Sequence, residues 1–409
     1  MPSRMVMRVC VCLILNPYEM CLIATELRVV TDFPGGSAEV VQIDRDANCI
    51  EITPAMQFGR GWPCWWYLRV DGAQAGAKMT VVVHRAAAEF RPGQRLSASW
   101  ALPERVAFSA DNVHWAQTQV GTITAERGTY DVVAPSETFW LAWGPPFLPS
   151  HAEDLVKNAQ QRVPSSERLV LATTLDGHEV PLLHVGTSQL PNAIWVQARQ
   201  HAWEAGGSWV GAGFLDWITS DAPDAKDLRR TTEIWFIPIM DVDNVLHGSG
   251  GKEALPRDQN RDWSDEPHYP EVRAAQQHLH QLQASGRLRL FLDLHNPGPG
   301  DKQPYFYGPF EYEQLASESQ RRYDQFLRLA IERIRDPLPL TPNYRFATYV
   351  TTDEERGRMS SEWVRRHTSP DVVAMTLETS WNTPHSTVDG YRAVGRGLAE
   401  TVADFLADQ

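Results

Sequence analysis

Three residues in this chain have the types and spacing to hold a metal ion. His201 and Glu204 form a His-x-x-Glu pair in Arg199-Gln-His-Ala-Trp-Glu204, just past the apolar run 193–196. A second histidine ends the run Leu290-Phe-Leu-Asp-Leu-His295. Two imidazoles and a carboxylate are the three protein donors of many catalytic zinc sites, with a fourth position left for water. Near the C-terminus Glu378, in Met375-Thr-Leu-Glu-Thr379, is available as a general base. The combination points to a metallohydrolase.

Spacing alone is weak evidence, because thirteen histidines make a chance match common. His268-Tyr-Pro-Glu271 has the same spacing, but no apolar run precedes it, and an exposed loop is expected there. His201, Glu204 and His295 differ in context. Each follows a run that reads as a buried strand, and ligands in open α/β sheets collect at the carboxyl ends of strands. Asp293 is placed to orient a ligand from behind. In Pro256-Arg-Asp-Gln-Asn-Arg-Asp262, adjacent Asn260 and Arg261 can grip a carboxylate, the arginine through its planar fork.

Two kinds of segment must position these groups. Over residues 27–149, short alternating runs such as 38–43, 67–70, 79–83, 95–100 and 129–133 are separated by turn signals at Pro34-Gly-Gly36 and Asp71-Gly72. They predict an antiparallel β-sandwich. The patch Trp62-Pro-Cys-Trp-Trp-Tyr67 reads first as core packing, with a ligand platform as the sharper alternative. Trp143-Gly-Pro-Pro-Phe-Leu-Pro149 is a stiff boundary, and residues 150–165 read as a linker with a short helix. Over 166–409, apolar strand-like runs alternate with helical patterns at 272–282, 315–334 and 394–405. That order predicts an α/β domain with a mixed sheet.

Composition bounds the rest. A net charge of −13 argues against general nucleic-acid binding, which needs a basic face. No run reaches the ~18 apolar residues of a membrane span. All five cysteines fall within the first 64 residues, an odd count that reads as free thiols in a reducing compartment. A cytoplasmic location is expected, with secretion by an atypical N-terminal signal kept open. Residues 1–26 read as an extension, disordered or wrongly assigned to the chain.

Taken in order, the pieces resemble the zinc carboxypeptidase (funnelin) family, and within it the cytosolic carboxypeptidase-like branch. The family order is His-x-x-Glu, Asn-Arg in a loop, His at a strand end, and a catalytic Glu near the C-terminus. Here that reads His201 and Glu204, Asn260 and Arg261, His295, then Glu378. The branch also carries an N-terminal β-sandwich. The resemblance implies an α/β/α catalytic domain, one zinc ion per chain held by His201, Glu204 and His295, and Glu378 as base. It implies removal of C-terminal residues from peptides or proteins. Arg257 or Lys252 would polarise the scissile carbonyl, and Tyr349 would cap the substrate. This chain departs from the branch at His-Ala-Trp-Glu for His-Pro-Gly-Glu, at Met240-Asp-Val-Asp-Asn244, and at Asp-Leu-His-Asn-Pro297.

Two rival readings stay open at this point: a zinc-dependent small-molecule deacylase of aspartoacylase type, and a non-catalytic relative that binds a peptide or glycan. Basic residues Arg229, Arg230, Lys252 and Arg257 would suit an acidic C-terminal residue such as glutamate. Oligomeric state is left open.

Overall fold

The computed structural model describes residues 26–59 and 61–407. The extension expected at 1–26 lies outside the described residues except for Glu26, as do three of the five cysteines. Cys49 and Cys64 are free thiols.

Strict alternation builds the N-terminal part. In Arg127–Val133, Gly128, Tyr130 and Val132 turn inward while Arg127, Asp131 and Val133 face solvent, the period-2 pattern of a half-buried strand. Two five-stranded sheets result. One orders Arg28–Val30, Tyr67–Asp71, Thr138–Ala142, Ala107–Ser109 and Ala116–Gln117, all antiparallel. The other orders Thr122–Ile123, Arg127–Val133, Lys78–His84, Cys49–Thr53 and Glu39–Asp44. Its pairing of Cys49–Thr53 with Lys78–His84 is parallel, an exception to the antiparallel expectation.

The strand expected at 95–100 is largely a helical turn, Ala98–Ala101. The turn presents its carbonyls to indoles: Trp143 Nε1 donates to Trp100 O (2.8 Å) and Trp66 Nε1 to Ala101 O (2.9 Å). Buried indole N–H groups need such partners, and a strand would aim those carbonyls at a neighbouring strand. The Trp-rich patch divides in two. Trp65 and Trp66 are core, whereas Trp62 is only partly buried.

The Pro149–Arg162 helix does more than link. Its Ala152, Leu155, Val156 and Ala159 are buried in the core. Beyond it a seven-stranded mixed sheet orders Glu167–Thr173, Glu179–Val185, Thr232–Ile237, Asn192–Ala198, Leu288–His295, Val373–Glu378 and Tyr305–Tyr307. The four strands from Thr232–Ile237 to Val373–Glu378 run parallel, and the remaining pairings are antiparallel. Parallel strands must be covered on both faces. Adjacent residues show that they are: Trp235 packs on His278 of the Pro270–Ala284 helix, and Phe236 packs on Phe214 of the Ala205–Ile218 helix. The layers are therefore α/β/α.

Helix Ala205–Ile218 buries all but one of its residues and packs against Val388–Ala407. Glycine permits the close approach. A Cβ on Gly395 would stand 1.9 Å from Val210 O, and one on Gly213 would stand 2.1 Å from Arg392 O.

Candidate active site

Three strand ends bring the site together. The Asn192–Ala198 strand is buried along nearly its whole length and stops at Arg199, whose φ of 69° turns the chain sharply. The next residues form a tight turn, with Glu204 N donating to His201 O (3.1 Å). That turn sets both side chains on one side, so His201 Nδ1 lies 3.0 Å from Glu204 Oε1. His295 ends the strand alongside, and its Nδ1 lies 2.7 Å from Glu204 Oε2. Asn296 N also donates to Glu204 Oε2 (3.2 Å). All three side chains are buried, and one ligand atom from each falls within 4.8 Å of the others.

The outer face of each imidazole meets a carboxylate. His201 Nε2 is 3.1 Å from Asp258 Oδ1. His295 Nε2 is 3.0 Å from Asp293 Oδ2, off the line of a good hydrogen bond. Asp293 Oδ2 in turn accepts from Gln200 Nε2 and Ser360 Oγ. Carboxylates behind histidines fix the tautomer and ring orientation, and leave the inner nitrogen free to ligate.

The electrostatics fit a cation. Burial opposes the charged Glu204 carboxylate, yet His201, His295 and Lys252 around it hold it well below its ordinary range. Burial likewise works against a charged His295, and Asp293 and Glu204 outweigh it and raise its pKa well above the usual value. Two imidazoles and one carboxylate form a donor set that zinc accepts. Beside them Glu378 Oε2 is buried with no hydrogen-bond partner among the described residues. Glu378 is the register partner of His295 across the parallel pair. Burial pushes its carboxyl up to about 8, with Glu204 adding to the rise and His295 pulling against it.

The site opens into a cavity of about 760 Å³, lined by Glu378, Asn296, Lys252, Arg257, Asp258, Arg261, Tyr349 and Tyr305 among others. Of the expected cations, Lys252 lies nearest the three buried residues, its Nζ 3.7 Å from Glu204 Oε1. Burial would lower its pKa, but Glu204 and Asp258 raise it above the ordinary value, so it stays charged. Arg257 also lines the cavity, but it is drawn toward Asp262, 3.6 Å away. Arg261 makes no ion pair among the described residues, and its Nη1 donates to the Asn260 carbonyl (2.7 Å). The Asn260 side chain is buried, and its Oδ1 accepts from Ser360 N (2.9 Å). Tyr349 stands 62% exposed at the cavity. Arg229 and Arg230 do not line it: Arg229 Nη1 donates to the Ile218 and Ser220 carbonyls, and Arg230 pairs with Asp227.

The His268-x-x-Glu271 copy is only half in an exposed loop. Pro270 starts a helix there, which turns His268 to solvent and buries Glu271 against Gln259 (2.7 Å).

Several groups at the site carried no assignment from sequence. Asp258 sat in the Asn-Arg loop with no signal of its own, since its partner His201 is 57 residues away. Arg91 and Trp100 reach the cavity from the sandwich with no local motif to mark them, and Trp62, from the Trp-rich patch read first as core, joins them there.

Comparison with known proteins agrees with this architecture. The zinc carboxypeptidase family pattern matches residues 152–387, and that of the cytosolic carboxypeptidase N-terminal domain matches residues 29–143. Cytosolic carboxypeptidase 3 of Bos taurus is 25% identical over 302 residues, 67% of this chain and 29% of that protein. Cytosolic carboxypeptidase 4 of Mus musculus is 29% identical over 201 residues, 44% of this chain and 18% of that protein. The match thus spans less than a third of either relative. The crystal structure of a metallo-carboxypeptidase from Burkholderia cenocepacia superposes with a TM-score of 0.79 at 19% identity, covering 93% of this chain and 99% of that one.

Proposed function

The chain belongs to the zinc carboxypeptidase family, and we propose that it is a zinc-dependent peptide hydrolase that removes C-terminal residues. The observation that carries this reading is the convergence of His201 Nδ1 and His295 Nδ1 on the Glu204 carboxylate, with Glu378, whose Oε2 has no hydrogen-bond partner among the described residues, in register beside them.

His201, Glu204 and His295 would hold one zinc ion per chain, which when bound supplies a water of lowered pKa and polarises the scissile carbonyl. Asp258 and Asp293 keep the two imidazoles turned inward. Glu378 takes a proton from the attacking water and delivers it to the leaving nitrogen, a base then acid role. Its burial away from competing donors suits that exchange. The Lys252 ammonium faces the charge that develops on the carbonyl oxygen, where a fixed cation in a dry site acts most strongly. Arg261 holds the terminal carboxylate of the substrate, because it lines the cavity and makes no ion pair among the described residues. Asn260 steadies that loop through Ser360. Tyr349 closes over the bound end. These roles restrict cleavage to chain ends and make peptide or protein C-termini the partners.

We assign residues 27–149 to a sandwich unit, 150–165 to a linker that carries most of the Pro149–Arg162 helix, and 166–409 to the catalytic unit. The free thiols and the cytosolic relatives favour a reducing compartment.

Glu378→Gln tests the reading. It should retain zinc and bind peptide, and lose nearly all turnover on peptides with a free C-terminus. Retained turnover would remove Glu378 from the mechanism. Turnover of N-acyl amino acids without peptide cleavage would point to a deacylase.

A further inference from the structure

Lys252 sits in a loop that two separate parts of the chain hold from opposite directions. On the catalytic side, Trp203 N donates to Gly250 O (3.2 Å), and Gly251 lies so close to His201 and Ala202 that a Cβ there would stand 2.5 Å from Ala202 N. On the sandwich side, Trp62 N donates to Lys252 O (3.1 Å), and the Lys252 ammonium lies 5.6 Å from the centre of the Trp62 ring. Phe90 packs edge-on against Trp62, with ring centres 5.7 Å apart. The next residue, Arg91, forms an ion pair with Glu253.

Glu253 has a φ of 54°. A non-glycine residue is held in the left-handed region only where its surroundings over-determine it. The Arg91 guanidinium meets the Glu253 carboxylate from 162 residues away in sequence. The loop is therefore held by the sandwich as well as by the catalytic unit.

We propose that Arg91, through its ion pair with Glu253, is a positioning residue for Lys252, so that the sandwich completes the active site of the catalytic unit. The inference rests on the function proposed above for Lys252. Without Arg91, the 252–253 turn relaxes and the ammonium leaves its place beside Glu204.

The test uses full-length, zinc-loaded protein and a peptide with a free C-terminus. Arg91→Ala should lower kcat by roughly 2- to 100-fold, the range of coupling between residues in contact, with KM little changed. In a Lys252→Ala background the same substitution should do nothing further. The exchanged pair Arg91→Glu with Glu253→Arg should restore most of the loss. A parallel measurement needs no turnover: amine labelling of Lys252, quantified by mass spectrometry with the other lysines as internal references. Labelling should rise several-fold in Arg91→Ala and in Glu253→Gln, and fall again in the exchanged pair. Unchanged labelling in both single variants would overturn the proposal, as would losses in Arg91→Ala and Lys252→Ala that simply multiply. If wild-type protein cleaves no peptide, the functional reading fails, and labelling still decides where Arg91 holds Lys252.

Discussion

His201 presents Nδ1 to Glu204 at 3.0 Å and Nε2 to Asp258 at 3.1 Å, so the imidazole is clamped between two carboxylates with its tautomer set from behind. The His201–Asp258 relationship has a direct consequence. Removing the charge at a carboxylate behind a ligating histidine weakens metal binding by about 10- to 100-fold. Asp258→Asn should therefore lower zinc affinity in that range, read by competition with a chelator of known strength. Unchanged affinity would place Asp258 outside the site's machinery.

Lys252 and Arg257 can be separated by kinetics. Losing an oxyanion donor lowers kcat by about 10²- to 10³-fold. Lys252→Met should fall in that range. Arg257→Ala should fall well short of it, because Arg257 leans on Asp262. Steady-state kcat and KM on one peptide decide between them, and the opposite ranking would return the role to Arg257.

Arg261 is expected to read the free carboxylate. Arg261→Ala should raise KM for a free-acid peptide by a factor of about 10 or more, since a charged hydrogen bond contributes roughly 1.5–3 kcal/mol. The same substitution should leave the already poor cleavage of a C-terminal amide unchanged. Equal effects on both substrates would remove Arg261 from carboxylate recognition.

Glu271 makes stability depend on pH. Burial, followed by Asp241 and Asp243, pushes its carboxyl up to about 8 from an ordinary value of 4.5. Between those values the folded chain keeps a proton that the unfolded chain has lost, so this group's contribution falls as pH rises from about 4.5 to 8. Glu271→Gln removes that slope. Denaturant titrations should show the variant gaining stability relative to wild type between pH 5 and pH 8. A constant difference across that range would contradict the assignment.

Gly395 tests the packing beneath the site. Gly395→Ala forces a methyl group against the Val210 carbonyl of the helix that begins after Glu204. Overpacking of this kind destabilises by about 1–3 kcal/mol. Thermal unfolding should shift downward, and an unchanged midpoint would mean that the two helices separate easily.

Much of this was readable from the chain. Strands that end at His295 and Glu378 announce themselves as continuous apolar runs, because parallel strands are buried on both faces. The sandwich shows in alternation such as that of Tyr130, Asp131 and Val132. What failed to show depends on distance in sequence or on a single local bond. Alternation at 95–100 concealed a helical turn fixed by two indole hydrogen bonds from far-off tryptophans. Glu271 looked exposed because Pro270 reads equally as a loop residue and as the first residue of a helix. Arg229 and Arg230 counted as pocket cations only while their helix had no position. The Arg91–Glu253 pair is invisible to any motif, since it joins two parts of the fold that the sequence describes separately.

In the proposed function His201, Glu204 and His295 together hold zinc. The most direct measurement is metal content by plasma mass spectrometry on protein purified without a histidine tag, with His295→Ala alongside. Wild-type protein should carry about one zinc per chain, and the variant should lose it. Wild-type protein that carries no zinc and takes up none when it is supplied would contradict that function.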